Sequence, residues 1–252
     1  MQIKDKLITI TGAGKGIGRA MAVLFASRGA NLALLDVNDA DLKQTAVLCQ
    51  SHGVKANIYT CNVAVENEVV NTFKQVSTEF GRFDILINNA GILRDAMLIK
   101  RDNGQLKKMS LDQWQKVIDV NLTGVFLCGR EAAEHMIHFA NGGVIINLSS
   151  ISRAGNIGQS NYAAAKAGVA SLTVVWAKEL ARYGIRTGAI APGFIHTEIL
   201  NAMPEQILQS MLTQVPLRRG GQPEEVANAA AFIIENDYFS GRIIELDGGL
   251  RL

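Results

Sequence analysis

The chain has 252 residues, 48% of them hydrophobic and 19% charged, and its formal net charge is +2. This balance is typical of a globular protein and excludes a disordered one. No basic run exceeds two residues and aromatic residues make up only 6%, so nucleic acid is not an expected partner. No apolar run reaches the roughly 18 residues of a membrane helix, and no signal-peptide core follows Met1. We therefore expect a cytoplasmic protein, without a membrane partner, that binds a small molecule.

The three cysteines are Cys49, Cys61 and Cys128. They are scattered and lack the spacing of metal ligands. We expect them to be reduced apolar side chains, and we expect no metal site.

The first residues have the pattern of a strand, a glycine-rich turn and a helix. Residues 7–11 are rich in β-branched side chains, and an amphipathic helical pattern begins at residue 17. Glycines between them permit a tight turn and let backbone N–H groups approach a pyrophosphate at the positive end of the helix. The segment predicts a dinucleotide-binding loop that includes Gly12, Lys15, Gly16, Ile17 and Gly18.

Asp36 ends the second strand-like run, eighteen residues after Gly18. At this place in a dinucleotide fold a carboxylate accepts hydrogen bonds from the adenosine ribose and repels the 2′-phosphate of NADP. Asp36 therefore favours NAD(H), although it could also simply cap the following turn. Lys15 favours the opposite choice, because a cation in the glycine-rich loop could neutralise that phosphate, so NADP(H) stays possible.

Strand-like and helical segments alternate along the chain. Helical apolar spacing covers, for example, residues 39–51, 66–80 and 224–234. The alternation predicts an α/β fold, a Rossmann-type doubly wound parallel sheet in a three-layer α/β/α arrangement. A ligand is expected at the carboxyl ends of the strands, where the strand order reverses. The strand-like runs lie at residues 7–11, 31–36, 56–61, 84–88, 144–148, 187–191 and 243–246.

The length suits one large α/β domain or two small ones. We expect residues 1–252 to form a single dinucleotide-binding and catalytic domain. Residues 194–216 are long, partly helical in pattern and apolar. This segment is predicted to be a lid over the substrate.

Residues 99–108 interrupt the alternation with a basic hairpin that is predicted to turn at Asn103-Gly104. It could be a solvated protrusion or a contact between subunits. It could also be a clamp for a phosphorylated or acidic handle on the substrate.

Ser110 and Gln113 form the pattern of a capping box for a long helix that continues past Phe126. Asn121 lies in the interior of that helix, where a polar amide requires a partner. It could be a packing amide with its hydrogen bonds satisfied, or it could hold a water molecule near the active site.

Tyr162 and Lys166 lie four residues apart in a helical pattern, which places both side chains on one face. A neighbouring cation favours phenolate and lowers the pKa of a tyrosine from its usual value near 10. Tyr162 could then exchange a proton with an alcohol or carbonyl oxygen. The buried strand at 144–148 delivers Ser149 and Ser150 to the same edge of the sheet.

Together these motifs resemble those of the short-chain dehydrogenases/reductases along nearly the whole chain. The matching residues are Thr11-Gly12-x-x-x-Gly16-x-Gly18, Asn88-Asn89-Ala90-Gly91, Asn121, Ser149-Ser150, Tyr162-x-x-x-Lys166 and Pro192-Gly193. The resemblance implies hydride transfer between a nicotinamide and a carbonyl or alcohol, usually by a homotetramer.

The same resemblance implies a role for each matching residue. Tyr162 would be the general acid/base, Lys166 would lower its pKa and hold the nicotinamide ribose, and Asn121 would hold a water. A serine hydroxyl would hold the substrate oxygen; spacing favours Ser149, whereas strand register favours Ser150. The cofactor would also contact Asn62, Val63, Asn89, Ala90, Gly91, Pro192, Gly193, Ile195 and Thr197.

Within the family, residues 88–95 and 158–168 are similar to those of 3-oxoacyl-(acyl carrier protein) reductases. Five features differ from that group. Asp36 favours NAD where those enzymes use NADPH, the Asn103-Gly104 hairpin is additional, and residues 136–140 lack the basic cluster that helps dock a carrier protein. Asn62 also replaces the usual Asp, and Gly188 replaces a customary Asn near Pro192-Gly193. The leading hypothesis is reduction of a 3-oxoacyl thioester. The alternatives are NAD-dependent oxidation of a sugar, steroid or other small alcohol, and a nonenzymatic nicotinamide-sensing binding protein.

Overall fold

The computed structural model describes residues 1–201 and 203–251. Each predicted strand and helix is present, with the ends moved by a few residues. The strands are β1 (Leu7–Thr11), β2 (Asn31–Asp36), β3 (Ala56–Thr60), β4 (Ile85–Asn88), β5 (Ile99–Asp102), β6 (Gln105–Lys108), β7 (Gly143–Leu148), β8 (Ile185–Pro192) and β9 (Arg242–Leu246). The helices are α1 (Gly16–Ser27), α2 (Asp39–Gln50), α3 (Glu66–Phe80), α4 (Leu111–Ile118), α5 (Gly124–His138), α6 (Ser160–Leu180), α7 (Glu198–Asn201), α8 (Glu205–Leu212) and α9 (Pro223–Glu235).

Seven of the strands form one parallel sheet in the order β3-β2-β1-β4-β7-β8-β9. The chain builds outward from β1 in one direction and then, from β4, in the other. The strand order therefore reverses between β1 and β4, and a crevice lies at their carboxyl ends. The predicted doubly wound fold is confirmed.

Each face of the sheet is covered by its own hydrophobic core. One core packs α1, α2 and α9 on the sheet around residues such as Phe25 and Ile233. The other packs α3, α5 and α6 around Phe73, Phe83 and Trp176. Strands buried on both faces read as continuous apolar runs, which is why their positions were predictable. Within the described ranges, no helix has the length and apolarity that crossing a membrane requires.

The predicted long helix after Ser110 is divided. The capping box forms, since Ser110 Oγ accepts from Gln113 N and Gln113 Oε1 accepts from Ser110 N. Residues Asp119–Thr123 then adopt a π-helical turn between α4 and α5. Such turns occur frequently at functional sites, and this one has Asn121 at its centre.

Candidate active site

The glycine-rich loop between β1 and α1 turns so tightly that its glycine positions disfavour a side chain. Gly12 and Gly16 have positive φ angles of 64° and 53°, and a Cβ on Gly18 would lie 2.0 Å from the Gly12 carbonyl oxygen. Lys15 is the N-cap of α1 and Ile17 lies in its first turn; a lysine side chain cannot accept hydrogen bonds from that turn. An anion would meet bare backbone N–H groups and the positive end of α1. The loop therefore fits a pyrophosphate.

Asp36 lies at the end of β2 beside this loop. Its Oδ2 accepts a hydrogen bond from Gly14 N at 3.0 Å, and its Oδ1 accepts one from Asn38 N at 3.1 Å. Because a carboxylate has about four acceptor sites, both oxygens keep capacity for ribose hydroxyls. Lys15 is exposed to solvent. The carboxylate is thus fixed in the loop, whereas the competing cation lies at the surface.

Asn89 and Ala90 are bound to the glycine-rich loop through Thr11. Thr11 Oγ1 accepts from Asn89 N at 3.0 Å and from Ala90 N at 3.1 Å. The Asn89 side chain donates in return to the carbonyls of Thr11 and Gly12. Thr11 thereby holds the carboxyl ends of β1 and β4 together on either side of the crevice. This role of Thr11 was not predicted from the sequence, although its position as the last residue before the loop was the available signal.

Asn62 and Val63 follow β3 at the far end of the crevice. Asn62 Oδ1 accepts from Ala64 N at 3.1 Å, and Asn62 N donates to the Glu68 carboxylate at 2.8 Å. Val63 is buried, and a Cβ on Gly124 would lie 2.8 Å from its side chain. This packing fixes the loop that is expected to contact adenine.

The segment after β8 forms the opposite edge of the crevice. Pro192 is the last residue of β8, and Gly193 N donates to the Leu246 carbonyl at 2.9 Å. Ile195 is buried and pairs with Gly221. The backbone of residues 193–195 is therefore bound to Leu246 and to Gly221 before the chain reaches the glycine-rich loop.

Thr197 and Glu198 then lie against the N-terminal end of α1. A Cβ on Gly16 would lie 3.3 Å from Thr197 Cγ2 and 3.4 Å from Glu198 Oε2. A carboxylate thus lies beside the place where the loop fits a pyrophosphate. Thr197 was predicted from the sequence to lie here, but Glu198 was not, because nothing in the pattern of residues 194–216 indicates that this part of the segment returns to α1.

The two consecutive serines after β7 have different surroundings. Ser149 is buried and its hydroxyl donates to the Lys166 carbonyl at 2.9 Å, so it is used within the protein. The Ser150 hydroxyl accepts from Ser152 N at 3.1 Å and hydrogen-bonds the phenol of Tyr162. The structure therefore brings Ser150 to the tyrosine, as strand register favoured.

Burial raises the pKa of Tyr162 above its usual value near 10, and the charge of Asp95 raises it further. The hydrogen bond with Ser150 acts in the opposite direction and lowers the pKa. The net shift is upward, because burial outweighs this hydrogen bond. That Lys166 lowers the pKa of Tyr162 stays a prediction. At neutral pH the phenol carries its proton and can act as an acid.

Lys166 is 3% exposed and its ammonium donates to the Leu148 carbonyl at 2.6 Å. Its Nζ lies 5.6 Å from the centre of the Tyr162 ring, so the helical spacing places the two side chains as predicted. Burial lowers the pKa of Lys166 from 10.5 to about 8. The cation is available for a ligand near neutral pH, at a cost in stability.

That cost gives a prediction for Lys166→Met. Between pH 8 and 10.5 the unfolded chain binds more protons than the folded chain. Below pH 8 the buried, charged lysine therefore lowers the free energy of unfolding by about 3 kcal/mol, and this penalty is lost as the pH rises from 8 to 10.5. We expect the stability advantage of Lys166→Met over the wild type to shrink by about 2 kcal/mol between about pH 7.5 and about pH 10. Denaturant unfolding at each pH measures it, and other titrating groups cancel because both proteins share them. A constant difference would contradict the lowered pKa.

Asn121 is fully buried in the π-helical turn. Its Oδ1 accepts from Ile92 N at 2.9 Å and its Nδ2 donates to the Ile92 carbonyl at 3.0 Å. A Cβ on Gly91 would lie 3.6 Å from the same Oδ1. The amide therefore fixes the chain just after Gly91, which agrees with a satisfied packing amide.

Asn161, the residue before Tyr162, is a site residue that sequence analysis missed. It is fully buried, and its Nδ2 donates to the carbonyls of Arg94 at 3.0 Å and Gln113 at 2.9 Å. Its Oδ1 accepts from Tyr162 N at 2.8 Å. Asn161 thus joins the start of α6 to the segments before and after the hairpin. An asparagine next to the tyrosine was visible in the sequence, but its distant partners were not.

Comparison with known proteins places this geometry in a family. Residues 12–251 match the family model described as enoyl-(acyl carrier protein) reductase. The chain is 39% identical over 252 residues to a 3-oxoacyl-[acyl-carrier-protein] reductase of Thermotoga maritima, covering 99% of both chains. It is 41% identical to the protein of that name in Staphylococcus aureus, covering 97% of this chain and 98% of the relative.

Solved structures agree with the sequence relatives. The crystal structure of levodione reductase superimposes with a TM-score of 0.89 at 32% identity, covering 98% of this chain and 97% of that one. A short-chain type dehydrogenase/reductase from Mycobacterium marinum superimposes with a TM-score of 0.90 at 33% identity, covering 98% of this chain and 96% of that one. The similarity therefore extends over the whole sheet and both helical layers.

Proposed function

Because the chain belongs to the short-chain dehydrogenase/reductase family, we propose that it reduces the carbonyl of a 3-oxoacyl thioester with NADH. The observation that carries the proposal is the hydrogen-bonded pair of Ser150 and Tyr162, with Lys166 beside it, near the carboxyl end of β7. Hydroxyl, phenol and ammonium at one point form a site that can bind and protonate an oxygen.

The cofactor would lie across the crevice at the switch point of the sheet. Gly12, Gly16 and Gly18 leave room for the pyrophosphate, and Asp36 would accept hydrogen bonds from the adenosine ribose. When bound, the nicotinamide would supply the hydride. The remaining contacts are proposed for Lys15, Ile17, Asn62, Val63, Asn89, Ala90, Gly91, Pro192, Gly193, Ile195 and Thr197, with Tyr162 and Lys166 at the nicotinamide ribose.

Tyr162 is the general acid of this mechanism. Its raised pKa keeps the phenol protonated at neutral pH, and the proton passes to the carbonyl oxygen as that oxygen gains negative charge. Ser150 donates a hydrogen bond to the same oxygen and orients it. Lys166 stabilises the phenolate that remains, and Asn121, whose side-chain amide is bonded to Ile92, positions the chain just after Gly91.

The substrate would bind under residues 194–216, the lid. The apolar sequence of this segment suits an acyl chain. We further propose that residues 1–252 act as one catalytic domain, in a cytoplasmic homotetramer.

The cofactor preference tests Asp36 directly. We expect kcat/KM with NADH to exceed that with NADPH by at least about tenfold, and Asp36→Ala to remove most of the difference, because a fixed carboxylate opposes the 2′-phosphate dianion. Asp39→Ala is the matched control, since Asp39 is an exposed carboxylate three residues away. A wild-type preference for NADPH would show that Lys15 determines the choice.

Turnover on a panel of substrates tests the reaction class. We expect 3-oxoacyl thioesters to oxidise NADH faster than sugars, steroids or small ketones. The panel includes 2-enoyl thioesters, because the matching family model is described as an enoyl reductase. The reverse direction, NAD-dependent oxidation of alcohols, is the second candidate, and Asp36 is the observation that favours it. Cofactor binding without turnover of any substrate would instead support a nicotinamide-sensing binding protein.

A further inference from the structure

The hairpin β5–β6 is a two-stranded ribbon that stands apart from the main sheet. Its strands pair antiparallel from Ile99↔Lys108 to Asp102↔Gln105, and a two-residue turn at Asn103 and Gly104, both with positive φ, joins them. All its residues are exposed except the partly buried Asp102. Four cations and one carboxylate give the ribbon a net charge of +3, in a chain whose total is +2.

The two faces of the ribbon differ. Residues directly opposite each other, and residues two apart along a strand, share a face. One face therefore carries Lys100, Asp102, Gln105 and Lys107, and it includes an ion pair at 2.6 Å between Lys107 and Asp102. The other face, here called the cationic face, alternates Ile99 and Leu106 with Arg101 and Lys108.

The cationic face exposes apolar side chains and cations to solvent, which is the composition of a binding surface. Ile99 is 52% exposed and Leu106 is 59% exposed, and no residue of 1–201 or 203–251 forms an ion pair with Arg101 or Lys108. An isolated two-stranded ribbon is marginally stable in water, and the opposed Lys100 and Lys107 weaken it further. A partner with acidic groups and apolar side chains would satisfy both halves of this pattern.

The segments on either side of the ribbon are hydrogen-bonded to the start of α6, the helix that carries Tyr162. Ala96 N donates to the Gly158 carbonyl at 2.9 Å, just before α6. Asn161 donates to carbonyls on both sides of the ribbon, at Arg94 and Gln113, and binds the backbone N–H of Tyr162. The ribbon is therefore joined, through its flanking segments, to the element that carries the catalytic tyrosine.

We propose that the cationic face docks an acidic carrier protein that delivers the acyl thioester to Tyr162. This inference rests on the proposed function. A small phosphorylated handle would use the cations but would leave Ile99 and Leu106 exposed. A second copy of this chain in a two-fold contact would place two ribbons of charge +3 against each other. An acidic protein surface with apolar side chains matches both components.

The test compares two variants with the same change in net charge. Arg101→Glu/Lys108→Glu reverses the cationic face, whereas Lys4→Glu/Lys74→Glu reverses exposed cations before β1 and on α3. The probes are a 3-oxoacyl thioester on a negatively charged bacterial acyl carrier protein and the same acyl group on coenzyme A. We expect the ribbon variant to raise KM for the carrier-borne substrate at least about tenfold. Its kcat and its KM for the coenzyme A thioester should match those of the wild type and the control variant.

Binding of the unloaded carrier protein, measured by biolayer interferometry at low and high salt, gives a readout that needs no turnover. We expect salt-sensitive binding that the ribbon variant loses and the control keeps. Binding without turnover would overturn the proposed reaction but support the docking surface. If the ribbon variant raises KM equally for both thioesters, the docking proposal is overturned in favour of a phosphate clamp. If the ribbon variant has a different oligomeric mass in light scattering, the docking proposal is overturned in favour of a subunit contact. Carrier-borne KM unchanged in the ribbon variant would also overturn it.

Discussion

Tyr162→Phe is expected to lower kcat for NADH-dependent reduction at least about 10²-fold, the lower end of general acid effects. The phenylalanine ring keeps the packing at the start of α6 but has no proton to donate to the carbonyl oxygen. Burial holds the pKa of Tyr162 above 10, so the wild-type phenol is the acidic form across the neutral range. Steady-state kinetics with a 3-oxoacyl thioester measures the loss.

The affinity for NADH is the control for this variant. Because the cofactor is expected to bind mainly through the glycine-rich loop and Asp36, its Kd should change less than about threefold, within ordinary context-dependent variation. Turnover that survives in Tyr162→Phe would mean that another group donates the proton.

Ser150→Ala is expected to lower kcat about 10²-fold, because one fixed donor to the developing oxyanion is lost. The neighbouring Ser149→Ala is a matched control of identical chemistry one residue away. Its hydroxyl is bonded to the Lys166 carbonyl, so its removal should cost about 1 kcal/mol of stability and leave kcat within about threefold.

The two serine variants separate a chemical role from a structural one. Thermal unfolding measures stability in parallel with kcat and KM. A large kcat effect in Ser149→Ala with little effect in Ser150→Ala would reverse the assignment and show that spacing to Tyr162, rather than strand register, identifies the serine that meets the substrate.

The fold was predictable because its signals are local. Apolar β-branched runs mark strands buried on both faces, and glycines at residues 12, 16 and 18 mark a turn that a Cβ would block. The Asn103-Gly104 pair predicted the hairpin, and both residues have the positive φ that such a turn requires. Each of these features depends on neighbours in sequence.

The finer features of the site depend on distant partners, and the sequence alone could not give them. The register of β7 decides which serine meets Tyr162. The pKa of Tyr162 depends on how deeply α6 buries it, and here burial outweighs the neighbouring hydrogen bond. Asn161 binds carbonyls 67 and 48 residues away. Helical spacing paired Tyr162 with Lys166 correctly but could not show that the ammonium is bound to Leu148.

Transfer of deuterium from NADH that carries deuterium at both C4 positions to a 3-oxoacyl thioester is the most direct test of the proposed reaction. Mass spectrometry of the product locates the label. We predict a 3-hydroxyacyl thioester with deuterium on C3, formed by the wild type and strongly reduced in Tyr162→Phe. A 3-hydroxyacyl product without deuterium at C3 would contradict the proposed reaction. So would an enzyme that leaves the 3-oxoacyl thioester unreacted but reduces a 2-enoyl thioester to a saturated acyl chain with deuterium at C3.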